Sequence, residues 1–172
     1  MKSMTKSILL AAFLASATAA LWAQSDVAPA PMPPLIATAK TAFLSYEGSS
    51  CAPEYFSFSG TLDRGFNEFS AAARSKLHYT FVDSPASAEL VLAFRSNCDF
   101  YPGKGQVILP RFYLTAYDAK YHVALWTFSE EPKFVVGLKK TRDTQFDIAI
   151  TNLVDDVLRA SPASAVAGTA GK

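Results

Sequence analysis

The side chains able to break bonds or hold ions are few in this 172-residue chain. Cys51 and Cys98 are its only cysteines, and they lack the C-x-x-C spacing of a redox or metal site. His78 and His122 each stand alone, outside any H-E-x-x-H or H-x-x-E-H pattern. No G-x-S-x-G elbow is present to raise a serine nucleophile. Two acidic pairs occur, Glu130-Glu131 and Asp155-Asp156, but acid–base catalysis needs carboxyls opposed across a substrate rather than adjacent in sequence. Glu130-Glu131 reads as a solvated strand end beside Pro132, and the apolar stripe of the last helix leaves both aspartates on or near its polar face. "YPGKGQ" (Tyr101 to Gln106) lacks the spacing and the trailing Ser or Thr of a phosphate loop, so it reads as a turn. The chemistry therefore points away from an enzyme, with no metal and no cofactor expected.

The N-terminus sets the compartment in which the cysteines are read. Lys2 and Lys6 precede an uncharged run from Ile8 to Ala23, whose apolar core is shorter than the about 20 residues of a bilayer span. Ala17-Thr18-Ala19 fits a cleavage site, and Ala23 before Gln24 is a second candidate, so residues 1–23 read as a secretory signal peptide. An N-terminal anchor is the alternative reading, and the small residues favour cleavage. No cysteine directly follows the apolar run, which excludes the usual acylated anchor. An exported chain is expected, periplasmic or secreted, with no transmembrane span after signal cleavage. In an oxidising compartment Cys51 and Cys98 have a single possible pairing, a disulfide, against the alternative of two free thiols.

Composition shifts mark the remaining boundaries. Pro29, Pro31, Pro33 and Pro34 make residues 24–39 a Pro-rich linker, extended rather than helical. Residues 40–160 have the size of one domain, and 161–172 read as a disordered tail rich in small residues. Loss of Lys2 and Lys6 takes the formal charge from +1 to about −1. Lys139, Lys140 and Arg142 form the only basic cluster, too short for a nucleic-acid or anionic-membrane surface. An envelope protein or a small ligand, not nucleic acid, is the expected partner.

Periodicity then supplies the elements that position these residues. A strand is expected over Lys40–Tyr46, a loop over Gly48–Gly60, and a helix with Leu62, Phe66, Phe69, Ala73 and Leu77 on one face and Thr61 as its cap. Strand character returns at His78–Asp83 and Leu90–Ser96. Gln106–Asp118 and Tyr121–Phe128 read as a hairpin joined by Ala119-Lys120, with Pro110 marking a bulge or an edge position. "KFVVG" after Pro132 could extend the sheet briefly. Phe146, Ala149, Ile150, Leu153, Val154, Val157 and Leu158 stripe a final helix, capped by Thr141 or Asp143. The order β-α-β-β-β-β-α predicts an α+β fold: a single mixed sheet of about five strands with two helices on one face.

A surface remains as the place for function. If Asp118 pairs with Tyr121, alternation puts Phe112, Leu114, Ala116, Val123 and Leu125 on one side of the sheet. Tyr113, Thr115, Tyr117, His122, Ala124, Trp126 and Phe128 take the other, and a one-residue slip would undo this sorting. Tyr113, Tyr117, His122 and Trp126 are the candidate interaction surface. Alternatively the Gly48–Gly60 loop, with Tyr55, Phe56 and Phe58, folds over that side as a lid. It would then enclose a pocket for a small-ligand carrier or an enzyme, lined by Tyr55, Phe58, Tyr113 and Trp126.

Four segments also resemble known sequences: "AKTAFLSYEG", "SPASAELVLAF", "LTAYDAKYHVALWTFSEE" and "KKTRDTQFDIAITNLVDDVL". Together, from Ala39 to Leu158, they are similar to uncharacterised exported proteins of soil, acidobacteria-like bacteria. More remotely, the hairpin ending in a tryptophan before the last helix is similar to envelope lipoprotein domains of unknown function. The lipid-bearing cysteine of those lipoproteins is missing here. The resemblance implies an α+β fold and the cell envelope, and it brings no catalytic residues.

Overall fold

The computed structural model describes residues 30–51, 58–100, 108–133, 135 and 138–161, the side chains of Asp99, Phe100 and Ile108 excepted. The signal-peptide, tail and Tyr101–Gln106 readings therefore lie outside the described residues, as do Tyr55, Phe56 and most of "KFVVG". The elements run α1 (Pro34–Thr38), β1 (Thr41–Ser49), α2 (Arg64–Lys76), β2 (Thr80–Phe81), β3 (Leu90–Phe100), β4 (Ile108–Asp118), β5 (Val123–Glu130) and α3 (Lys139–Ala160). The expected α+β class holds: one mixed sheet in the order β2-β1-β3-β4-β5. β1 lies parallel to both β2 and β3, while β3–β4 and β4–β5 are antiparallel.

One helix was not foreseen. Residues 34–38 fold as a single helical turn where an extended linker was expected. Proline breaks helices from the inside, but Pro34 sits at the first helical position, where its missing N–H would have no partner anyway. The turn drives Ile36 fully into the core, and the Tyr79 hydroxyl donates to the Ile36 carbonyl. Two caps also differ. The N-cap of α2 is Asp63, without a side-chain cap bond, and the Thr61 hydroxyl instead donates to the Asp63 carboxylate. α3 begins after Leu138, so Thr141 and Asp143 lie inside the helix and cap nothing.

The core forms where α2 and α3 cover one face of the sheet. Ala42 and Leu44 of β1, Leu90, Leu92 and Phe94 of β3, and Phe112, Leu114 and Ala116 of β4 alternate inward. They meet Phe69 and Ala73 of α2 and Phe146, Ile150, Leu153 and Val157 of α3, all buried. Rings form a continuous chain across this layer. Phe94 stacks on Phe69 at 5.5 Å and on Phe112 at 5.9 Å, and Phe112 meets Phe146 edge-on at 4.9 Å. Gly65 makes that chain possible: a Cβ there would stand 3.2 Å from both Phe94 and Phe112.

Beside it, Arg64 ties α2 to α3 and to the segment at Ser59. Its guanidinium donates to Glu68 (2.6 Å), Asp143 (3.1 Å) and the Ser59 carbonyl (2.9 Å), pairs with Asp147, and lies 4.5 Å above the Phe146 ring. Asp143 in turn accepts from the Ser59 N–H (2.7 Å) and O–H (2.6 Å). Burial pushes the Asp143 carboxyl up, but the two Ser59 bonds and Arg64 outweigh it and hold the group below its usual range.

Two further features set the strand ends. At the register shift between Tyr46 and Gly48, Gly48 takes φ +102°, a left-handed conformation that suits glycine in a bulge. Cys51 and Cys98 then form a disulfide, Cα atoms 4.8 Å apart, just beyond the paired stretch of β1 and β3. Pro110 pairs with Cys98 on β3 past the last residue opposite β5, so it occupies a stretch of β4 with one strand neighbour and no bulge.

Replacing both cysteines by serine should lower the unfolding free energy by about 4 kcal/mol, as expected for cross-linking a loop of this length. Urea titration reads the change, and reduction of the native protein should reproduce it. Asp143 gives an acid signature. Because its folded pKa is depressed, its contribution is complete above the unfolded carboxylate value of about 4 and is lost as pH falls through the lower folded value. Asp143→Asn should therefore lose stability at neutral pH and show a flatter acid limb in thermal melts from pH 6 down to pH 2.

Candidate functional site

The hairpin of β4 and β5 carries the expected surface residues, but its turn is longer than two residues. Asp118 accepts the N–H groups of Lys120 (2.8 Å) and Tyr121 (3.0 Å), and the His122 N–H closes onto the Asp118 carbonyl at 2.9 Å. His122 carries the left-handed backbone that ends the loop, at φ 55°. The strands thus join through Ala119–His122, and Asp118 pairs with Val123 rather than Tyr121. That change alone preserves alternation. The register then shifts between Ala116 and Tyr117, with Tyr117 opposite Ala124 and Ala116 opposite Trp126, leaving Leu125 as the extra residue of a bulge.

This bulge exchanges the faces of β5. Trp126 and Phe128 stand opposite Ala116 and Leu114, on the helix-covered side, where Phe128 is buried and Trp126 packs half-buried against the core. The expected grouping of Tyr113, Tyr117, His122 and Trp126 is therefore not formed. Tyr113 and Tyr117 keep the helix-free face, His122 is exposed at the turn, and Trp126 lies on the other side of the sheet. Val123 is exposed, while Leu125, half-buried at the bulge, packs against the core as Trp126 does. Of the lid reading, Phe58 is buried 5.2 Å from Phe146, and Tyr113 and Trp126 lie on opposite faces of the sheet, so these three are not brought together; Tyr55 and Phe56 lie outside the described residues.

Two surfaces remain. The first is the helix-free face. Across the sheet run the rows Phe43–Val91–Tyr117–Ala124 and Ser45–Ala93–Thr115–Thr127, then Arg95–Tyr113–Ser129. The Arg95 guanidinium lies 5.0 Å over the Tyr113 ring, and the Thr115 and Thr127 hydroxyls meet at 3.1 Å. Arg111 and Glu131 pair at 2.7 Å at the far end. Among the described residues no helix covers this face.

The second is an open groove of about 550 Å³ between β5 and α3, lined by Met32, Trp126, Phe128, Asp156, Arg159 and Ala160. Glu130, on the same side of β5, faces Asn152 and Asp156 of α3. Burial pushes the Glu130 carboxyl up and the Asp156 charge adds to it, while Asn152 and Arg159 pull only partly back. Asp156 is paired with Arg159, and its neighbour Asp155 with Lys76 at 3.2 Å. The opposed acidic pair is thus Glu130 with Asp156, one residue from each of the two sequence pairs. No spacing rule joins a strand end to the fifth turn of a helix, so the sequence carried no signal for it. Among the described residues no group of three His, Cys, Asp or Glu could hold a metal ion, and no helix is long and apolar enough to cross a membrane.

Fold and surfaces together define a one-sided α+β domain with a disulfide at one end. No family model and no curated protein matches the chain. Solved structures of similar course include the PelC dodecamer from Paraburkholderia phytofirmans, at 12% identity over 70% of this chain and 86% of that one, TM-score 0.40. The hypothetical protein CT253 from Chlamydia trachomatis aligns at 12% identity over 69% and 92%, TM-score 0.43. A minor lipoprotein from Acinetobacter baumannii aligns at 14% over 70% and 90%, TM-score 0.37. Likenesses this distant transfer no role.

Trp126→Ala should behave as a core truncation, lowering stability by about 2–4 kcal/mol in denaturant unfolding. A loss below 1 kcal/mol would place the indole outside the packing. Glu130→Gln should raise the melting temperature at pH 7, where the fold disfavours the ionised carboxylate. Because the folded pKa is raised, that advantage should shrink as pH falls through it and Glu130 becomes neutral by itself.

Proposed function

We propose that this chain is an exported, non-enzymatic accessory domain of the bacterial periplasm or cell envelope. In this reading it binds an envelope protein through the helix-free face of its sheet. The observation that carries the reading is the one-sided architecture: α2 and α3 both cover the same face, while Phe43, Val91, Tyr113 and Tyr117 share the other. A sheet face of mixed aromatic, hydroxyl and arginine side chains has the composition of a protein interface, in which Tyr and Arg are enriched. The compartment rests on Lys2, Lys6 and the apolar run that follows them, and the disulfide agrees with an oxidising environment. The absence of a catalytic motif supports a binding role over an enzymatic one.

A second reading has one observation in its favour. The groove beside Trp126 offers an apolar wall with Glu130, Asp156 and Arg159 at its rim, the arrangement of a small-ligand carrier.

Chemical crosslinking of the tagged protein in its own cell envelope separates the two. Crosslinked partner peptides should map to β1, β3 and β4, and Tyr113→Ala/Tyr117→Ala should abolish them without lowering the melting temperature by more than about 5 °C. Unchanged crosslinking in that variant sinks the face reading. A small molecule that co-purifies and is released by Trp126→Phe favours the groove.

A further inference from the structure

The two edges of the sheet are treated very differently by the sequence. β2 closes one edge with two residues, Thr80 and Phe81, followed by exposed Asp83, Ser84 and Pro85. Such shortness, with a charge and a proline, blunts an edge against further pairing. β5 closes the other edge with eight residues, Val123–Glu130, among which there is no lysine, arginine or proline, and the single charge is the last residue. Among the described residues β5 pairs with β4 alone and makes no backbone bond on its outer side. Alternate residues of an antiparallel strand turn both N–H and C=O away from the neighbour, so β5 presents a row of donors and acceptors outward. Within β5 the bulge at Leu125 leaves Trp126–Glu130 regular, and a charge and a proline, Glu131 and Pro132, come only after the strand has ended.

We propose that two copies of this chain associate through β5, antiparallel about a two-fold axis at Phe128, to make one sheet continuous across both copies. The regular segment is complementary to itself in this register. Phe128 meets the second copy's Phe128, Thr127 meets Ser129, and Trp126 meets Glu130. Faces agree throughout: Trp126, Phe128 and Glu130 share the helix side, Thr127 and Ser129 the open side. Opposite residues in such a pair lie about 5 Å apart, so the Trp126 indole N–H reaches the second copy's Glu130 carboxylate, twice by symmetry. The two Glu130 side chains fall at opposite ends of the seam, so no like charges face one another. Thr127 and Ser129 are small and uncharged, so the open side meets without a clash. An isologous contact of this kind closes on itself, which stops the long edge from templating open-ended aggregates. The pairing also leaves the helix-free face bare and places two copies of it side by side, so this inference stands whether or not that face binds a partner.

Sedimentation velocity on the protein purified after export tests the idea. The wild type should sediment as a dimer, with a monomer fraction that grows on dilution. T127K/S129K puts introduced lysines opposite one another across the seam and should give a folded monomer, with an unchanged circular dichroism spectrum. T127K/S129E puts each introduced lysine opposite the second copy's glutamate and should restore the dimer. A wild type that is monomeric at every concentration overturns the proposal, as does a dimer that survives T127K/S129K. Should T127K/S129K fail to fold, hydrogen exchange on the wild type decides: the outward amides of Trp126–Glu130 should slow as concentration rises. Exchange independent of concentration overturns the seam.

Discussion

Arg64 and Gly65, adjacent at the start of α2, set the distance between the helices and the sheet. Gly65 lacks the carbon that would strike Phe94 and Phe112, so the helix settles directly on the aromatic chain. Arg64 lies over Phe146 and pairs with three carboxylates, two of them on α3. In the first turn of α2 the glycine costs less than the about 1 kcal/mol it would cost in a helix interior, and it lets the helix pack closely on Phe94, Phe112 and Phe146. The guanidinium is largely withdrawn from water, and such a group is tolerated only when its donors are used. Glu68, Asp143, Asp147 and the Ser59 carbonyl use them. The position of α3 against α2, and through Ser59 the return of the chain from the Gly48–Gly60 loop, follow from this one pair.

Much of this arrangement was legible in the sequence because it depends on periodicity. The stripe from Phe146 to Val157 faces the core as its spacing requires, whereas Leu158, expected on the same stripe, is exposed. The single mixed sheet with its long helices on one face follows from element order and the scarcity of helices. The disulfide was legible for a different reason: two cysteines in an exported chain have one possible pairing, and parallel β1 and β3 bring their ends together. The helical turn at Pro34–Thr38 was missed because four prolines were weighed as breakers. Proline in the first turn of a helix breaks nothing, and buried Ile36 supplies the reason to fold.

The candidate site was less legible, and the cause is a single residue. Strand alternation is a rigid rule only while register is kept, and the bulge at Leu125 shifts it by one. Everything beyond that point in β5 changes face, which removes Trp126 from the company of Tyr113 and Tyr117. Nothing in "VALWTF" announces a bulge, since no glycine marks it. The turn was misjudged on similar grounds. Ala119-Lys120 reads as a two-residue connection, whereas Asp118 builds a longer one with its own carboxylate and His122 takes the left-handed position. The Glu130–Asp156 contact needs both the shifted register of β5 and the rotation of α3, so it could emerge only from the fold.

The bulge also separates what stability requires from what recognition could use. With Trp126 and Phe128 turned inward, β5 contributes its large aromatics to the packing of α3 and keeps only Ala124, Thr127 and Ser129 on the open side. Aromatic surface on that side therefore concentrates on β1 and β4, strands held by neighbours on both edges. Alternation sends Tyr113 and Tyr117 to the face opposite the buried Phe112, Leu114 and Ala116 beside them in sequence. A binding surface placed on central strands is rigid, so it loses little conformational entropy when a partner docks. An edge strand stripped of large outward side chains suits backbone pairing better than side-chain recognition. The same one-residue insertion thus divides the sheet into a central face fitted for side-chain contacts and an edge fitted for strand addition.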